Sequence, residues 1–91
     1  MEVKLISHDK ESIELEIIGE TETFLYPLRT RLLEDKKVTY ASYFLGHPLL
    51  DNPRIVVKVS DGKPLEALQR ATKALSKDYR DLREQFEKVS A

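Results

Sequence analysis

The chain has 91 residues, with 15 Lys and Arg against 16 Asp and Glu, two His and no Cys. A domain this short buries only a little over ~60% of the surface its unfolded form exposes, so its core is thin. No Cys excludes a disulfide framework and a thiolate zinc site, and the balanced charge argues against a domain that grips phosphate backbones.

Met1 to Lys10 already read as a strand, without the charged-then-apolar pattern of a signal segment. No apolar run approaches the ~20 residues that span a bilayer. The expectation is a cytoplasmic protein with no membrane contact and one domain over residues 1–91. Val3 and Leu5 alternate with charged neighbours, and Ile13, Leu15 and Ile17 alternate with Glu14 and Glu16. Period-two alternation predicts strands with one buried and one wet face, joined as a hairpin by His8-Asp9-Lys10-Glu11 and closed by Gly19.

Thr21 or Thr23 is the expected helix N-cap. Phe24, Leu28 and Leu32 then recur every four residues, with Leu25 and Leu33 beside them, which predicts a helical stripe ending near Glu34 to Lys37. Pro27 is expected in the first turn, where a missing N–H costs least. Val38 to Leu45 and Arg54 to Ser60 are β-branched and aromatic in character, with Gly46-His47-Pro48 and Asp51-Asn52-Pro53 supplying bends between them. Ile55-Val56-Val57 is apolar on both faces, as in a central strand covered on each side or one near an interface. Asp61-Gly62 makes a turn, and Pro64 is placed as the first residue of a last helix. The order β-β-α-β-β-α predicts an α+β two-layer domain, a four-stranded antiparallel sheet with both helices on one face and a long C-terminal helix.

That last helix carries the functional expectation. Leu65, Thr72, Tyr79 and Phe86 form one seven-residue series, and Leu68, Leu75, Leu82 and Val89 another, offset by three. Together they make an a/d seam of more than three heptads, flanked by a small-residue strip of Ala67, Ala71 and Ala74. Unbroken from Pro64 to Val89, 26 residues, the helix would run roughly 39 Å. A compact chain of this length is roughly 30 Å across. Leu82, Phe86 and Val89 are therefore expected to overhang the sheet and need a partner to cover them. The outer face, with Lys77–Asp81, Arg80–Glu84 and Glu84–Lys88 spaced i,i+4, reads as solvated support.

Chemistry-bearing constellations are not found. His8 falls in a polar turn and His47 at a bend before Pro48, and neither belongs to a pair with metal-ligand spacing. The carboxylates alternate along strands or sit near helix ends rather than converging. Gly19, Gly46 and Gly62 are scattered through separate turns and make no phosphate loop. No catalytic residue, metal site or cofactor is expected, and the chain is not read as an enzyme by itself.

The run Gly19-Glu20-Thr21-Glu22-Thr23-Phe24-Leu25, then Leu28-Arg29 and Leu32-Leu33, resembles the Gly-Glu-Asp-His-Thr-Leu segment and following helix of archaeal RNA polymerase subunit L and its eukaryotic counterparts. Val38-x-Tyr40-Ala41-x-Tyr43 with His47-Pro48-Leu49 is similar to that family's Val-x-Phe-Ala-x-Tyr…His-Pro-Leu pattern, and Asp61-Gly62, Pro64 and Glu66-Ala67-Leu68 match its entry into the last helix. Glu22 stands where the family usually has His, and Tyr26-Pro27 where Asn-Leu is common. The resemblance implies a non-catalytic subunit of DNA-directed RNA polymerase. It would heterodimerise with the polymerase's D-type subunit and form the platform on which the large catalytic subunits assemble, without direct sequence-specific nucleic-acid contact. The expected pairing residues are Phe24, Leu28, Leu32, Leu68, Leu75, Tyr79, Leu82, Phe86 and Val89. Two alternatives stand beside it: a pterin-carbinolamine dehydratase-like enzyme, suggested by His47-Pro48, and a free-standing homodimer using the same helices.

Overall fold

In the computed structural model, residues 2–19, 22–46, 52–75 and 79–90 are described, the side chains of residues 22, 24, 81 and 90 excepted. Strands β1 (Glu2–His8) and β2 (Ser12–Ile18) pair antiparallel, with Val3 opposite Ile17 and Leu5 opposite Leu15. The turn between them is tied by Asp9. Its backbone N–H donates to the Ser12 carbonyl at 2.9 Å, and its Oδ1 accepts from the backbone N–H of Glu11 at 2.8 Å and of Ser12 at 2.9 Å. The Glu11 N–H first, then the Ser12 hydroxyl and N–H, hold the Asp9 carboxyl below its ordinary value. Ile6 is the extra residue where the register shifts between Leu5 and Ser7, and it stands exposed.

Helix α1 (Glu22–Leu33) follows Gly19, whose φ of 91° lies in the left-handed region that glycine enters without penalty. Pro27 is the sixth residue of α1, in its second turn rather than its first as expected. A proline there forfeits one intrahelical bond and crowds the preceding turn, at about 3 kcal/mol. Leu25, Leu28 and Leu32 are each fully buried, and at ~1.5–3 kcal/mol apiece their burial outweighs that cost. After α1, β3 (Val38–Phe44) and β4 (Arg54–Val59) pair antiparallel, with Ala41 opposite Val57 and Tyr43 opposite Ile55. β4 also pairs antiparallel with β2, giving the order β1-β2-β4-β3. Ile55-Val56-Val57 thus lies on an interior strand, as its sequence implied. The bend residues from His47 to Asp51 lie outside the described residues.

Alternate positions of all four strands point to one face. Val3, Ile13, Leu15, Ile17, Ala41, Ile55, Val57 and Val59 form the sheet's contribution to the core. The helices cover that face in a row, α1 over β3, the second helix over β4 and β2, and the third over β1. The α+β class and antiparallel sheet agree with the sequence reading.

The long C-terminal helix does not. It is two helices, α2 (Pro64–Ala74) and α3 (Arg80–Ser90), with Pro64 at the N-terminal start of α2 as expected. Leu75, at φ −92° and ψ 179°, is extended, and its N–H donates to the Thr72 carbonyl at 3.2 Å. Leu82 and Phe86 are fully buried in the chain's own core, and Val89 packs against it partly buried. The predicted overhang is therefore corrected. The reason is a competition of magnitudes: a straight helix of roughly 39 Å exceeds even the 36 Å longest extent of the molecule. Breaking it gives up a few net hydrogen bonds at ~0.5–1.5 kcal/mol each, while burying Tyr79, Leu82 and Phe86 returns ~1.5–3 kcal/mol per side chain.

Candidate pairing surface

The helix layer presents two unlike regions to solvent. On α1, Tyr26 and Leu33 are 57% and 51% exposed. They are seven residues apart, two turns along the helix, and so share one face. This stripe flanks the face formed by the buried Leu25, Leu28 and Leu32, so two of the expected α1 pairing residues, Leu28 and Leu32, lie in the core. The side chain of Phe24 lies outside the described residues.

Beside the stripe, ion pairs hold α1 and α2 in place. Arg31 Nη1 meets Glu34 Oε2 at 2.9 Å, one helical turn on. Asp35, just past α1, accepts from the Lys37 backbone N–H at 2.9 Å and from Arg70 Nε of α2 at 2.9 Å. The Lys37 N–H first, and then Arg70, holds the Asp35 carboxyl below its ordinary value of 3.8. A carboxylate with a depressed folded-state value contributes stability above its unfolded value, and loses it as pH falls through the lower folded one. Asp35→Asn is accordingly expected to cost about 1 kcal/mol at neutral pH. In urea titrations the gap from the parent chain should close in acid, once Asp35 is protonated in both states. A gap that persists there would mean the carboxylate charge is not what ties α1 to α2.

The second region lies where α2 begins and α3 ends. Leu5, Ile13, Pro64, Leu65 and Val89 line an open, apolar hollow of about 730 Å³ at the hairpin end of the sheet. That the first turn of α2 and the last turn of α3 share it shows the two helices run antiparallel. The rest of the heptad seam is closed inward: Leu68, Tyr79, Leu82 and Phe86 are buried, and Leu75 is partly so. Thr72, a polar member of the seam, donates its hydroxyl to the Leu68 and Gln69 carbonyls at 3.0 Å each, which makes its burial tolerable. Of the small strip, Ala67 and Ala71 are buried and Ala74 is exposed.

Among the described residues, no helix lies on the sheet's other face. Arg54 Nη1 meets Glu14 Oε2 at 3.0 Å across β4 and β2, and Lys58 Nζ sits 5.3 Å from the Tyr40 ring centroid. Among the described residues, no group of three or more His, Asp or Glu is placed to hold a metal ion, and no helix is long and apolar enough to cross a membrane. His8 ends β1 and is exposed, while His47, on which the dehydratase alternative turned, lies outside the described residues. Tyr26 and Leu33 were the residues sequence reading left out as pairing candidates. For Tyr26 the signal was available, since it is large, apolar and off the stripe of Leu28 and Leu32; Leu33, read as part of that stripe, is instead 51% exposed.

An antiparallel sheet backed by three helices, with large apolar side chains exposed on α1 (Tyr26, Leu33), β1 (Leu5, Ile6) and β3 (Tyr40, Phe44), has the surface of a protein-association domain. Residues 12–85 match the family described as the RNA polymerase Rpb3/Rpb11 dimerisation domain. The chain is 44% identical over 86 residues to DNA-directed RNA polymerase subunit Rpo11 of Thermoplasma acidophilum, covering 94% of this chain and 78% of that one. It is 40% identical over 86 residues to the Archaeoglobus fulgidus Rpo11, covering 94% and 100%. The crystal structure of DNA-directed RNA polymerase subunit L from T. acidophilum superposes with a TM-score of 0.75 at 44% identity, covering 96% of this chain and 86% of that chain. The chain belongs to the Rpb3/Rpb11 dimerisation domain family, and within it is a small RNA polymerase subunit of the Rpb11/L type.

Proposed function

We propose that this chain is a non-catalytic polymerase subunit that pairs with the D-type subunit and, as that heterodimer, forms the platform on which the large catalytic subunits assemble. The observation that carries the reading is the match to a dimerisation domain over residues 12–85, which takes in α1, α2, the three strands from β2 onward and the first half of α3. The exposed Tyr26–Leu33 stripe on α1 supports it, because a large apolar pair held on a rigid helix is what an interface core is built from. The nucleotide chemistry then belongs to the large subunits, in the cytoplasm where the archaeal polymerase would work.

Co-expression of this chain with the D-type subunit of the same genome tests the reading. The expected result is a 1:1 complex that survives affinity purification through either partner and sediments as a heterodimer. A chain that stays alone, or that prefers itself when both subunits are present, would refute it.

A further inference from the structure

The exposed aromatic groups of β3 lie on the side of the sheet away from the helices. Ala41 is buried in the core and Tyr43 packs against it. Successive side chains of a strand alternate between faces, so Tyr40, Ser42 and Phe44 share the uncovered side, where Tyr40 and Phe44 are exposed. On β4, Lys58 stands opposite Tyr40, Val56 opposite Ser42 and Arg54 opposite Phe44. Beyond them on β2, Glu14 is opposite Val56 and Glu16 opposite Arg54. We infer that this aromatic half of the uncovered face is where the chain, once paired with the D-type subunit, takes hold of one of the large catalytic subunits. The inference rests on the platform function proposed above and gives it a second contact surface.

Three arguments select that occupant. The first is geometric. A subunit that pairs with one protein and carries another must offer two surfaces that a single partner does not cover together. Tyr26 and Leu33 stand out from the helix layer, and Tyr40 and Phe44 from the opposite side of the sheet. The second is charge. On the uncovered face Lys4, Arg54 and Lys58 are matched by Glu2, Glu14 and Glu16. Arg54 is already held by Glu14, and Lys58 sits over Tyr40. So balanced a face has no excess cation for a phosphate backbone, whereas an apolar centre with a neutralised polar rim suits a protein. The third is size. Tyr40 to Phe44 covers about 14 Å at ~3.4 Å per residue, and β3, β4 and β2 together are about 10 Å wide. That footprint of roughly 140 Å² is far below the about 800 Å² that each member of a stable free-standing pair buries. It is too small to hold a second copy of the chain by itself. As one contact among several in an assembly it suffices, because contacts made first raise the effective concentration for the next.

Tyr40→Thr combined with Phe44→Glu tests this. Threonine suits a strand, and a glutamate opposite Arg54 makes a favourable cross-strand pair. The polymerase is reconstituted from its purified subunits with the parent or the variant chain. Sedimentation should show a parent-like heterodimer with the D-type subunit. Titration of the large subunits onto that heterodimer should show an affinity at least about tenfold weaker.

Parent-like uptake of the large subunits would overturn the inference and leave the pairing function standing. Loss of the heterodimer by a variant with parent-like circular dichroism would overturn it too, since the face would then belong to the D-type contact. Self-association of the parent chain that the variant abolishes would give the face to a second copy. A single-stranded RNA probe bound by the parent heterodimer and lost by the variant, with assembly intact, would give it to nucleic acid. Either result overturns the inference. Absence of any heterodimer with the parent chain would refute the pairing function itself. Should the double variant not fold, Phe44→Thr alone should still weaken uptake about threefold, and an unchanged affinity there would count against the inference.

Discussion

Replacing Tyr26 and Leu33 together by glutamate is expected to leave the isolated chain folded while weakening its pairing with the D-type subunit at least about a hundredfold. Both side chains are more than half exposed on α1, and surface substitutions of that kind usually change stability by no more than about 0.5 kcal/mol each. At an interface centre the same change removes two large apolar anchors. It also buries two carboxylates with no partner, and leaving a charge unpaired costs several kcal/mol. Circular dichroism of the variant should overlay that of the parent, and sedimentation of the mixture should show free subunits. Parent-like affinity would remove α1 from the interface and leave the pairing to surfaces elsewhere.

Phe86→Ala should have the largest effect on the isolated chain, about 3–5 kcal/mol of unfolding free energy, read from urea titration. Phe86 is the largest fully buried side chain among the described residues and sits on α3. A domain of this size has a total stability of roughly 5–15 kcal/mol, so the variant should be close to unfolding at ambient temperature. A loss below about 1 kcal/mol would show that α3 is not packed on the sheet in solution. The same burial means Phe86→Glu and Leu82→Glu test folding before they test pairing. The exposed α1 pair is therefore the cleaner probe of the interface.

Much of the architecture was legible from the order of residues. Alternation in Ile13, Leu15 and Ile17 marks β2 because a strand turns successive side chains to opposite faces, and all three are buried. The four-residue recurrence of Leu28 and Leu32 marks α1 for the equivalent reason. Asp9 and Gly19 sit where turn chemistry needs a short acceptor and a left-handed backbone. The ordered motifs from Gly19 to Leu68 carried the family, which the match over residues 12–85 bears out.

What local pattern could not settle was where the seam goes. A seven-residue spacing is satisfied equally by one straight helix facing a partner and by two helices that each bury a stripe on the same sheet. The choice depends on the reach of the sheet beneath, on whether β1 is otherwise bare, and on whether a second molecule is present. Those are relations between residues far apart in the chain. The residues themselves determined that the far end of the last helix must be covered. Only the tertiary structure decided that, in the lone chain, β1 and α2 cover it: burying Leu82 and Phe86 at home outweighs the few hydrogen bonds surrendered at the bend.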